Sequence, residues 1–112
     1  MTEDTTKTAR IRELNDLFRT SFIGGKVLQT QGIQSLPEED QSSIREQVER
    51  FNDFTEDNDP HGEHDFGAFD HSGQKIFWKI DYYDAAMEYG SEDPADPKQT
   101  TRVLTIMLAS EY

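Results

Sequence analysis

The chain has 112 residues, no cysteine, seven Phe, four Tyr, one Trp and a net charge of −12. That length suits one domain with a single modest core, and the absence of cysteine excludes disulfides, a thiolate nucleophile and a zinc ribbon. The acidity argues against direct binding of nucleic acid, which needs Lys and Arg on the phosphates, and no stretch approaches the ~20 apolar residues of a membrane span.

Residues 1–7 are polar and read as a flexible tail. From Thr8, Ile11, Leu14, Leu17, Phe18 and Phe22 recur at three- and four-residue spacing, which predicts a helix with those residues inward, ended by Gly24-Gly25. Lys26 to Thr30 reads as a short strand turned by Gly32. Ser35-Leu36-Pro37-Glu38-Glu39 carries a helix-start signature, and Ile44, Val48 and Phe51 continue on one face, predicting a second helix over 37–51. Asn52 to Gly62 is rich in turn formers. His64–Asp70 and Gln74–Asp84 read as a hairpin about His71-Ser72-Gly73. Ile76, Trp78, Ile80 and Tyr82 fall on one face of its second strand, and Phe77, Lys79, Asp81 and Tyr83 on the other. Gly90 to Pro97 is an acidic turn-rich loop, and the β-branched run from Thr100 to Ala109 favours a last strand over a helix. These elements predict an α+β fold, an antiparallel three- to four-stranded sheet with two helices packed on one face. The expected core is Leu14, Leu17, Phe18, Ile44, Val48, Phe51, Ile76, Trp78, Ile80, Val103 and Ile106.

Charge is unevenly spread: residues 38–96 hold 18 acidic against four basic groups, a net of −14. Chemistry, if any, is expected to focus on Asn58 to Gly67, where two of the three histidines stand among acids and glycines. Asp57, Asp59, His61, Glu63 and Asp65 partly match a calcium loop with Gly62 at its sixth position, but Ala68 occupies the twelfth, where a bidentate Glu is required. His61, Glu63, His64 and Asp65 together form a candidate site for a divalent metal. His64 is also a candidate base, oriented by Asp65 or Asp84, with Ser91 or a tyrosine hydroxyl as nucleophile. No nucleophile elbow, Walker loop or dinucleotide fingerprint accompanies them. The plainer alternative throughout is a solvated acidic loop.

Asn58-Asp59-Pro60-His61-Gly62-Glu63-His64-Asp65-Phe66-Gly67, Phe77-Trp78-Lys79-Ile80-Asp81-Tyr82-Tyr83-Asp84, Gly90 to Pro97 and Arg102 to Leu108 resemble the bacterial domain of unknown function 3768 family, over about Leu14 to Tyr112. The resemblance implies no activity and supplies no catalytic residue. From the residues themselves, we expect a small acidic, non-catalytic cytoplasmic domain that binds a protein partner with a basic surface. A DNA-mimic-like inhibitor of a nucleic-acid-binding protein is one form of it. Its functional focus would be Asp59, His61, Glu63, His64, Asp65, Tyr82, Tyr83 and Asp84. The competing expectation is a metal-dependent enzyme or metal-binding domain centred on His61 to Asp65.

Overall fold

Alternating burial along Gln74–Tyr83 marks the longest strand of the sheet, and the computed structural model describes residues 3–112 around it. In chain order the elements are α1 (Glu3–Ser21), β1 (Gly25–Gln29), the one-turn α2 (Gln31–Gln34), α3 (Glu38–Arg50), β2 (Phe66–His71), β3 (Gln74–Tyr83) and β4 (Thr101–Leu108), then a 3-10 turn at Ala109–Glu111. Met1 and Thr2 lie outside the described residues; from Glu3 onward the segment expected as a tail is helical.

The strands order β1-β4-β3-β2. The pairs β2–β3 and β3–β4 are antiparallel, whereas β1 runs parallel to β4. The fold is α+β with four strands, but the sheet is mixed where an antiparallel one was expected. The connection explains this. The segment containing α2 and α3 crosses from one sheet edge to the other and returns the chain to the end from which β1 set out. β1 and β2 therefore point the same way, and two antiparallel steps from β2 leave β4 parallel to β1.

The β2–β3 hairpin closes through Ser72 and Gly73 at φ 51° and 81°. Positive φ at both central residues is the turn whose twist matches paired strands, and Gly73 adopts it without a Cβ clash. Pro37 stands just before α3, and Glu38, Glu39 and Asp40 fill its first turn, where the helix dipole favours anions.

Phe18, Ile33, Ile44 and Val48 from the helices pack on Ile76, Trp78, Ile80, Leu104 and Ile106 from one face of the sheet. Phe51 is half-buried against this cluster. Three expected core members differ. Leu17 is 60% exposed and Leu14 half-buried, because α1 turns Asn15 and Arg19 inward instead. Val103 is buried, but its register with Asp81 and Lys26 puts it on the other face of the sheet.

Candidate functional site

The segment from Asp53 to Asp65 is held by its own side chains before it meets the helices. The Thr55 amide donates to Asn58 Oδ1 (2.8 Å), and Asn58 Nδ2 donates to the Asp53 carbonyl (2.7 Å). Asp59 then accepts the His64 amide at 3.1 Å, which holds His64 at a positive φ of 54°. From α1, Arg12 donates to the Gly62 carbonyl (2.9 Å) and Asn15 to the Glu63 carbonyl (2.9 Å). The central stretch is thus an ordered strap laid across α1.

Beneath the strap lies a buried polar chain. Arg102 Nε donates to Asn15 Oδ1 (2.7 Å), Asn15 Nδ2 donates to the Tyr82 hydroxyl (2.8 Å), and that hydroxyl donates to Glu63 Oε1 (2.7 Å). Arg102 must be a donor, so the orientation of the Asn15 amide is fixed by its neighbours. Arg102 also donates to the Pro94 carbonyl (2.5 Å), tying the acidic 90–97 loop to the same network. Burial first, and then the bond to Glu63, pushes the Tyr82 phenol well above its ordinary range.

His64 is clasped on three sides. Its ring stacks on Phe54 at 3.7 Å and 3°, Nδ1 lies 3.0 Å from Asp16 Oδ1, and Nε2 lies 3.6 Å from Asp59 Oδ2. Asp16 also accepts from Arg19 at 3.2 Å. The Arg19 guanidinium is buried and stacks over Phe54 and Trp78, while its NH1 donates to the carbonyls of Val48 (3.0 Å), Glu49 (3.3 Å) and Phe51 (2.9 Å). These are carbonyls at the C-terminal end of α3, where a cation complements the dipole.

The four expected metal donors do not converge. His61 is exposed, Glu63 points to Tyr82, His64 to Asp16 and Asp59, and Asp65 is half-buried. Among the described residues no group of three or more His, Asp or Glu is placed to hold a metal ion. Ala68, the twelfth position of the partial calcium loop, lies in β2. Nor does an acid–base triad assemble: both ring nitrogens of His64 face carboxylates, and the Ser91 hydroxyl pairs with Thr100 at 2.7 Å. Burial, then the nearby Glu63, raises the Asp65 carboxyl above its usual range. Tyr83 lies half-buried on the opposite sheet face from Tyr82, and Asp84 closes a turn by accepting the Glu88 amide at 3.0 Å. Phe66 faces away from Trp78, packing on Phe77 (5.2 Å) and Tyr112 (6.2 Å).

Sequence reasoning missed Asn15, Asp16 and Arg19. The available signal was an interruption: a helix whose apolar positions at 11, 14, 17 and 18 leave 15 and 19 on the adjoining stripe. His71, which the sequence set across the hairpin from the candidate metal donors, instead donates from Nε2 to Asp40 (2.9 Å) and accepts at Nδ1 from Gln47 (3.0 Å), locking the hairpin end onto α3. A groove of about 690 Å³ runs between α3 and the edge strand β2, lined among others by Glu46, Arg50, Asp53, Asp70 and Lys75.

The model of a family described as protein of unknown function (DUF3768) matches residues 29–111. The match leaves out α1 and with it the Asn15, Asp16 and Arg19 side of the network. No curated protein and no solved structure matches the chain.

Proposed function

We propose that this chain, which belongs to the DUF3768 family of proteins of unknown function, is a non-catalytic acidic domain that binds a protein partner through that partner's basic surface. The observation that carries this reading is the division of labour among its ionisable groups. The polar groups with catalytic potential are spent on internal bonds: Glu63 on Tyr82, His64 on Asp16 and Asp59, and His71 on Asp40 and Gln47. The carboxylates left exposed, among them Glu38, Glu39, Glu46, Asp53, Glu56 and Asp57, follow one another along α3 and into the loop beyond it. Carboxylates presented from a helix and a self-bonded loop keep their spacing, which is what a basic groove that normally holds phosphates would recognise. An inhibitor that imitates DNA towards such a groove is the sharpest form of the reading.

The test begins with capture of partners from a cell extract and elution by salt. The captured protein, once purified, is then titrated against the wild type and against a Glu39→Gln, Asp53→Asn, Glu56→Gln triple variant. We expect wild-type affinity to fall steeply with salt, DNA to compete for the partner, and the triple variant to bind at least tenfold more weakly with an unchanged melt. Equal binding by the triple variant, or insensitivity to salt, would overturn the reading.

A further inference from the structure

The sheet has a second face that no helix covers among the described residues. The strand register places Lys26 and Leu28 of β1, Thr105 and Met107 of β4, Phe77, Lys79 and Asp81 of β3, and Phe66 and Asp70 of β2 on it. The helical core residues Phe18, Ile33, Ile44 and Val48 all pack on the opposite face. Tyr112 reaches round edge-on to Phe66 and Phe77 at 6.2 and 5.6 Å, and Val103 and Met107 on this face are themselves buried.

The charge on this face departs from that of the molecule. It carries Lys26, Lys75 and Lys79 against Asp70 and Asp81, a net of +1, so the rest of the chain holds −13 of the total −12. Near its middle, Lys79 and Asp81 form an ion pair at 2.5 Å, both about a third exposed. Leu28 on the same face is 52% exposed and Tyr112 77%.

We propose that this face is the interface of a homodimer, two copies meeting sheet to sheet about a two-fold axis near Lys79 and Asp81. Three arguments select a second copy as the occupant. Two strongly acidic chains repel over most of their surfaces, and this near-neutral face is where they can approach. A two-fold contact must be self-complementary, and a Lys beside an Asp on one strand satisfies it, because rotation sets each Lys79 opposite the Asp81 of the other copy. The area suits a weak, reversible contact: strands of 5, 8, 10 and 6 residues spaced about 4.8 Å apart make a face of about 460 Å², so two faces bury about 900 Å². The basic partner of the proposed function is drawn to the opposite, acidic side, so the two contacts do not compete.

The experiment is a charge exchange across the two-fold, read as mass by light scattering at about 100 μM, a concentration that reveals a micromolar dimer. The wild type is expected to run at twice the chain mass of 12.9 kDa. Lys79→Glu and Asp81→Lys are each expected to run as monomers, since each sets like charges face to face, and their equimolar mixture is expected to recover the dimer. Leu28→Glu, at an exposed position, is a second monomeric variant should either charge reversal perturb folding. A monomeric wild type overturns the proposal, as do folded variants that all remain dimeric.

Discussion

His64 is the residue whose role changes most between sequence and structure. Its ring is stacked on Phe54 and set between Asp16 and Asp59, so it fastens the strap to α1. His64→Ala is expected to cost about 1–3 kcal/mol of stability, because Asp16 loses a hydrogen-bonding partner and Phe54 its stacked ring. It should leave the basic-partner affinity of the refolded protein unchanged. Thermal melts beside the partner titration check this; a loss of binding at unchanged stability would return His64 to the functional surface. Asp65 supplies the pH signature. Burial and the neighbouring Glu63 raise its carboxyl above the ordinary range. The folded value is therefore the higher one, so its stabilising effect is fully present below the ordinary Asp range and is lost as pH rises through the raised value. Asp65→Asn should accordingly raise Tm near neutral pH, and the gain should shrink as the solution is acidified below the Asp range. A gain that persists at low pH would show that charge is not its cause.

At the scale of elements, Arg19 adds hydrogen bonds to the apolar packing of α1 on α3. Arg19 spans from α1 to three carbonyls at the end of α3 while lying over Trp78. Lysine cannot reproduce the planar fork or the stacking. Arg19→Lys is therefore expected to destabilise by about 2–4 kcal/mol despite keeping the charge, since it strands buried carbonyls and leaves a hole beside Trp78. Denaturant unfolding checks it; a loss below about 0.5 kcal/mol would mean that water replaces the guanidinium at no cost. The β2–β3 pair has its own constraint at Gly67, opposite Trp78 in the register. A Cβ there would overlap the indole nitrogen. Since Trp78 is wholly buried, it has nowhere to shift. Gly67→Ala should cost about 1–3 kcal/mol through overpacking, seen as a lower unfolding midpoint with the slope unchanged. Gly73→Ala, where the added Cβ would meet open space, should fail only through its φ of 81°.

For the whole molecule, the two proposed contacts respond to salt in opposite directions. Raising salt from about 10 to about 150 mM shortens the screening length from about 30 to about 8 Å. Attraction between the acidic side and a basic partner weakens, so that Kd should rise at least tenfold. Repulsion between two copies of charge −12 weakens as well, and self-association through the near-neutral face should strengthen over the same range. Sedimentation and partner titration at matched salt read the two effects separately. A dimer that dissociates as salt rises would overturn this sign and show that the Lys79–Asp81 attraction across the two-fold outweighs the repulsion between the chains.

The local elements were legible because they depend on neighbours in the chain. Period two in Ile76, Trp78, Ile80 and Tyr82 specified β3 and its faces, Pro37 with the two acids after it specified the start of α3, and the β-branched run from Thr100 specified β4. Tertiary structure alone decided the rest. Periodicity names an apolar stripe but not how far polar residues beside it turn inward. Asn15 and Arg19 are buried because carbonyls, a phenol and aromatic faces from residues 29 to 67 positions away complete their bonding, and Arg102 because Asn15, 87 positions away, accepts from it. The mixed sheet likewise follows from where the helical crossover lands, and the uncovered face from which side of the sheet the helices chose. Both are long-range outcomes that no local spacing encodes.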